Sequence, residues 1–207
     1  MSLNAALSLF LDEYPNAAKQ EFAENSVADF VRHEIPAIVE EVLPVSERYV
    51  VHGSAGQGNW ARVQWVAVFD RLVTDTAKNG YCVVYLVKED FSGVYVLLNQ
   101  GVTMAKNVYG ADAKEALRAR ATDFLARLGK LSESYVTGPI DLGAESSTNL
   151  GAYYEQGSTC AKYYAKGDIP PDEILESDLQ NFVELTLFSL PETFYQVESW
   201  SKRMRKV

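Results

Sequence analysis

With 207 residues, 47% of them hydrophobic and 12% aromatic, the chain is long enough to bury a substantial core, which excludes a disordered polypeptide. A formal net charge of −9 argues against a general nucleic-acid binder, because phosphate contacts need clustered Lys and Arg. No apolar run reaches membrane-span length and the N-terminus lacks the pattern of a signal peptide, so the expectation is a cytoplasmic protein with no membrane partner.

The first third reads as helical. A short helix is predicted over residues 4–11. From Ser26, a candidate N-cap, Val27, Phe30, Val31, Ile35, Ile38, Val39 and Val42 recur at helical spacing. Pro36 predicts a kink or break, and Pro44 closes the segment. Strands follow over residues 48–102. Residues 49–51 form a first strand leading into a glycine-rich loop. Val63, Trp65, Ala67 and Phe69 alternate with Arg62 and Gln64, as in a half-buried strand. After a turn at Lys78-Asn79-Gly80 comes an apolar, central strand over 81–87, then a turn at Phe91-Ser92-Gly93 into a strand over 94–99. An amphipathic helix is predicted over 113–128, with Leu117, Ala121, Phe124, Leu125 and Leu128 on one face and Gly129 as its stop. Residues 135–140 and 153–164 read as irregular, tyrosine-rich segments with short strands. Pro170-Pro171 opens a last helix facing inward with Leu175, Leu179, Phe182, Val183 and Thr186. The fold class is α+β: a mixed, largely antiparallel sheet packed by N-terminal, central and C-terminal helices. One domain is expected over 1–207, with a helical elaboration (1–44), a core (45–190) and a C-terminal helix or linker (191–207).

Acid crowds the first helices (Asp12, Glu13, Glu34, Glu40, Glu41) and the last third, whereas residues 45–110 carry Arg48, Arg62, Arg71, Lys78, Lys88 and Lys106 against fewer acids. A local positive face is therefore open to the chain. Its most unusual stretch is Gly53-Ser54-Ala55-Gly56-Gln57-Gly58-Asn59-Trp60, a small, polar loop running into a strand with a second tryptophan, Trp65. Glycine is selected where the backbone takes φ > 0 or approaches another group closely. This is not a phosphate loop: no Gly-Lys-Ser/Thr follows it, and a strand rather than a helix comes next. His52 beside Ser54 is the one close base–nucleophile pair, and it lacks a nucleophile-elbow context. Asp70, Lys88, Glu89 and Asp90 are the residues from which a metal-dependent nuclease site would have to be built, although Glu89 and Asp90 fall at a hairpin end. Cys82 and Cys160 lack metal-ligand spacing and read as reduced, buried thiols. No cofactor or metal site is expected. A cavity of Trp, Tyr and Leu beside a polar loop suits a flat ligand such as a nucleobase.

The runs Gly56-Gln57-Gly58-Asn59-Trp60 and Val63-Gln64-Trp65-Val66-Ala67-Val68-Phe69 resemble the N-terminal DNA-binding domain of McrB, the specificity subunit of a modification-dependent restriction system. Asn79-Gly80 before a hairpin over 81–101, the tyrosine-rich stretch 153–167 and the helix over 172–190 follow in the same order. The resemblance implies binding of double-stranded DNA with a modified base rotated into a pocket. It implies that Gln57 fills the gap in the duplex and that Trp65, Cys82, Leu86 and Tyr153 line the pocket. Gly56, Gly58, Asn59, Trp60 and Arg62 would be the accompanying DNA contacts. Three positions depart from the family pattern: Gln57 replaces an aromatic, Gln64 replaces the proline before the tryptophan, and Cys82 replaces a pocket aromatic. Such domains serve an AAA+ motor or a nuclease on a separate domain or subunit, and the basic run Lys202-Arg203-Met204-Arg205-Lys206 reads as the start of a linker to one. Two alternatives stand beside a non-catalytic specificity domain. One is a divergent metal-dependent nuclease; the other is a protein- or nucleotide-binding interaction module of a defence system.

Overall fold

The computed structural model describes residues 1–44, 47–145 and 149–189; the C-terminal segment 191–207 and its basic run lie outside them. Helix α1 (Leu3–Ala17) extends beyond the predicted 4–11 because its apolar spacing continues through Tyr14 and Ala17, both buried. Pro15 inside it has no N–H for the carbonyl of Leu11, and the ammonium of Lys166 donates to that carbonyl instead, at 2.9 Å. Helix α2 (Ser26–Asp29) is capped by Asn25, one residue before the expected Ser26; the Asn25 side chain accepts from the Val27 N–H at 3.0 Å. A π-helical turn (Phe30–Glu34) then leads into α3 (Ile35–Val42). The break predicted at Pro36 is this widened turn, which absorbs the missing donor while the chain stays helical.

Four strands follow as a meander: β1 (Tyr49–Gly56), β2 (Trp60–Asp70), β3 (Tyr81–Val87) and β4 (Gly93–Gln100). Helices α4 (Val102–Tyr109) and α5 (Ala113–Leu128), the short β5 (Val136–Thr137), α6 (Leu150–Gly157), β6 (Cys160–Ala165) and α7 (Asp172–Thr186) are the remaining α-helices and strands among the described residues. The α+β assignment holds, and all the described strand pairings are antiparallel, in the order β1-β2-β3-β4-β6-β5. Helix α4 was not expected, and the stretch read as irregular at 153–164 divides into a helix and a strand. Both helices carry β-branched, aromatic or glycine residues of poor helix propensity. They are held by packing instead: Val102 and Ala105 of α4, Ala113 and Leu117 of α5 and the tyrosines of α6 form a separate apolar cluster.

The period of two sorts the strands into faces. Val66, Val68, Val83, Tyr85, Val96, Leu98 and Tyr164 face α1, α3 and α7 in the main core. Val63, Ala67, Phe69, Cys82, Val84, Leu86 and Leu97 point the other way, under Ile140, Leu142 and Tyr154. Two buried acids anchor the first face. Arg48 meets Asp70 (1% exposed) through three hydrogen bonds of 2.6–3.0 Å, joining the start of β1 to the end of β2. Asp178 of α7 accepts from Lys162 at 2.5 Å and from the Tyr164 hydroxyl at 2.8 Å, fixing α7 to β6. Because losing one partner leaves the other charge buried, each pair is worth more as a constraint on geometry than as net stabilisation.

At Gly53 the π-turn lies directly on β1: a Cβ there would stand 1.8 Å from the carbonyl oxygen of Val31. Gly58, by contrast, has φ +76° but open space around it. Gly53→Ala is therefore expected to destabilise the protein by about 3 kcal/mol or more, lowering Tm by about 6–12 °C. Gly58→Ala, which meets only the left-handed backbone penalty, is expected to cost about 1–2 kcal/mol; thermal melts of the two variants compare them directly. Burial pushes the thiols of Cys82 and Cys160 up to about 12, so both stay neutral throughout the physiological range. A disulfide reagent at pH 8 is expected to leave the native protein unlabelled and to label two thiols once it is unfolded.

Candidate functional site

The glycine loop is the tip of the β1–β2 hairpin at the edge of the sheet. Gly56 pairs with Trp60, leaving a three-residue turn of Gln57, Gly58 and Asn59, all exposed. Gly56 takes φ +133°, and a Cβ on it would stand 1.9 Å from the Asn59 carbonyl oxygen, so this end of the turn admits no side chain. A register shift between Ser54 and Gly56 tucks Ala55 into the core, where its carbonyl accepts from the Tyr14 hydroxyl at 3.0 Å.

Trp60 braces the tip. Its indole N–H donates to the carbonyl of Gln20 at 2.9 Å, and its ring meets Tyr14 and Phe22 edge-on, each at 5.0 Å between centroids. Arg32 lies over Phe22 and donates to the Gly56 carbonyl at 3.3 Å, placing a cation under the hairpin that the sequence pattern did not single out. Arg62 is engaged by carboxylates, with Glu145 at 2.8 Å and Glu89 at 3.8 Å. Glu89 in turn accepts from Asn149, which caps α6 through the Ala152 N–H.

The hairpin forms one wall of a groove of about 600 Å³. Gln57, Asn59, Trp60, Arg62 and Trp65 line it on this side; Ala77, Lys78, Thr103, Leu150 and Tyr154 line it opposite. Lys78 brings positive charge to it, whereas the charge of Arg62 is balanced by Glu145 and Glu89; among the described residues no carboxylate lines it, although the chain as a whole is strongly acidic. Trp65, Ala77 and Tyr154 also line a neighbouring cavity of about 30 Å³, walled further by Ala67, Cys82, Val84 and Leu86 with Asn99 and Gln100. That volume is about one water's share.

Register explains the cavity. Trp65 pairs with Leu86 and Cys82 with Asn99, so Trp65, Leu86 and Cys82 project from one face of the sheet. Trp65, Cys82 and Leu86 are thus brought together. Tyr153 is not with them: it faces α4 and α5, its ring contacted by the ammonium groups of Lys106 at 4.6 Å and Lys114 at 5.0 Å. Its neighbour Tyr154 occupies the cavity wall, and burial pushes that phenol up to about 12. Asn99 was also missed. Its amide donates to the Tyr154 carbonyl at 3.1 Å and its oxygen accepts from the Gln100 N–H at 2.8 Å, which presents a buried polar group among apolar walls. A lone asparagine near the end of an apolar strand carries no signal in sequence that would have found it.

The residues considered for a nuclease are separated. Asp70 and Lys88 sit toward opposite ends of the β2–β3 ladder, whose register puts them about seven residues or roughly 24 Å apart. Asp70 is held by Arg48 and Lys88 by Asp141 at 3.2 Å. Among the described residues no group of three His, Cys, Asp or Glu side chains gathers as a metal site, and no helix is long and apolar enough to cross a membrane. His52 is exposed on β1, its ring 5.8 Å from that of Phe69, and its neighbour Ser54 lines the groove.

Comparison with curated proteins finds no match. The family model described as "MrcB-like, N-terminal domain" matches residues 10–187, from α1 through the end of α7 and including the hairpin, the groove and the cavity. The chain belongs to this family, the McrB-like N-terminal domains of restriction systems.

Proposed function

We propose that this protein is a DNA-binding specificity domain that recognises a modified base in double-stranded DNA by rotating it out of the stack, with no catalysis of its own. The observation that carries this reading is the groove itself: an exposed glutamine at a hairpin tip lines a carboxylate-free space that shares Trp65, Ala77 and Tyr154 with an aromatic-walled cavity. Extruding a base costs a few kcal/mol of stacking and pairing. That cost is met from two sides. Gln57 enters the gap in the duplex and hydrogen-bonds to the orphaned partner base, while Trp65 offers a ring for the extruded base to stack on. Cys82, Leu86 and Tyr154, the last in place of Tyr153, form the remaining wall, and the groove volume of about 600 Å³ lies within the usual range for a small-ligand site.

Each flanking residue has a part in this reading. Gly56 and Gly58 shape a turn narrow enough to enter a duplex, Asn59 stands beside Gln57 at the tip, and Trp60 fixes the hairpin against α1. Arg62, held by Glu145 and Glu89, positions α6 through Asn149 more than it attracts phosphate. The strand-cleaving or translocating activity belongs to a separate nuclease or AAA+ motor.

Titration against short duplexes differing in one base (unmodified, 5-methylcytosine, 5-hydroxymethylcytosine, N6-methyladenine) is expected to show preference for at least one modified duplex. Trp65→Ala is expected to reduce that preference by about 10- to 100-fold, the worth of one stacking contact. Gln57→Gly is expected to weaken binding while leaving the melting temperature within about 2 °C, because the side chain is exposed. Equal binding to all four duplexes, or metal-dependent cleavage by this chain alone, overturns the reading.

A further inference from the structure

The cations of this chain are held in two different ways. Around the sheet five are paired with carboxylates, Arg48 with Asp70, Arg62 with Glu145, Lys88 with Asp141, Lys162 with Asp178 and Lys166 with Asp12, while Arg32 of the N-terminal helices lies over Phe22. On α4 and α5 four of them approach aromatic rings. Lys106 and Lys114 both approach the ring of Tyr153, at 4.6 and 5.0 Å. Arg120 lies 5.3 Å from the ring centre of Tyr109 and donates to its hydroxyl at 3.1 Å. Arg127 lies 5.9 Å from that of Phe124. Among the described residues, neither Lys106 nor Arg120 has a carboxylate within ion-pair distance.

The difference matters because a carboxylate cancels the charge it fixes, whereas a neutral ring orients a cation and leaves its charge intact. Residues 102–130 carry six Lys or Arg against three Asp or Glu, a local excess of positive charge in a chain of net −9. Helix α5 is about 24 Å long, matching the rise of roughly seven base pairs. The face adjoins the groove: Thr103 of α4 and Lys78 both line it, and Tyr153, which holds the two lysines, directly precedes the cavity residue Tyr154.

We infer that the α4–α5 face is a phosphate-backbone contact for the DNA flanking the base held in the groove, with Lys106 and Arg120 as its principal cations. This inference rests on the proposed DNA-binding role, but assigns to a different element the part of the affinity that ignores base identity. It also reconciles an acidic protein with a polyanionic ligand: the positive charge is concentrated where carboxylates are few.

The test is a salt titration of the full chain against a modified duplex and its unmodified twin, between about 50 and 200 mM salt. The double variant Lys106→Gln/Arg120→Gln is expected to weaken binding to both duplexes by the same factor, about tenfold at the low-salt end. It is also expected to flatten the slope of log affinity against log salt by about 2, the value for two lost phosphate contacts. The control Lys88→Gln/Lys166→Gln, which removes cations already paired with carboxylates, is expected to keep the wild-type slope. A wild-type slope in the Lys106/Arg120 variant overturns the inference, as does a loss confined to the modified duplex. If the wild type binds both duplexes equally yet the variant still flattens the slope, the base-recognition reading fails and this one stands. Absence of duplex binding by the wild type overturns both.

Discussion

The site depends on how closely a helix can approach an edge strand. Where the carbonyl of Val31 lies over Gly53, no side chain separates the π-turn from β1, and the N-terminal helices seat directly on the strand that leads to the hairpin tip. From that contact follow the burial of Ala55, its hydrogen bond from Tyr14, and the aromatic cluster in which Trp60 is pinned. The three glycines of the loop therefore do separate jobs. Gly53 admits a neighbouring backbone, Gly56 closes the hairpin, and Gly58 supplies a left-handed turn in open space. The loop is polar and exposed only at its tip; its base is among the most constrained parts of the chain.

A second arrangement follows from the antiparallel meander. Because β2, β3 and β4 are adjacent and in simple register, Trp65, Cys82, Leu86 and Asn99 fall on one face although they span 35 residues of sequence. The opposite face of the same strands carries the main core. One sheet thus supplies both a tightly packed support and a partly open surface. The supporting face is fastened by buried ion pairs, and α6 covers only part of the other.

Much of this was legible in the residues themselves. The alternation of Val63 to Phe69 marked a strand, though not a half-buried one, since Gln64 on its other face is only 1% exposed; the apolar run 81–87 marked a central strand, and the spacing in α5 and α7 the faces they bury. What was not legible depended on tertiary packing. Strand β1 continues through glycines that would discourage a strand elsewhere, because pairing with β2 supplies the hydrogen bonds. Helix α6 carries two glycines and adjacent tyrosines, so its sequence gives no clean period. The family resemblance put Tyr153 in the cavity, and the helix explains why its neighbour stands there instead. On a helix, consecutive tyrosines point about 100° apart, and only Tyr154 turns toward Trp65. Charge was legible only as a count: residues 45–110 read as relatively basic, and the structure adds that Arg48, Arg62 and Lys88 of that segment are paired with carboxylates.

The small cavity behind Trp65 has a consequence for how tightly such a domain holds its ligand. Its volume is about that of one water, whereas a nucleobase needs far more room, so under the base-recognition reading the resting conformation is not the binding-competent one. Observed affinity is then the intrinsic affinity scaled by the fraction of molecules in which the cavity is wide enough for a base. Substitutions that loosen the packing of α6 against α4 and α5 raise that fraction without touching the ligand. Selectivity and affinity thereby become separately adjustable, the first through the walls of the cavity and the second through the stability of its closed form.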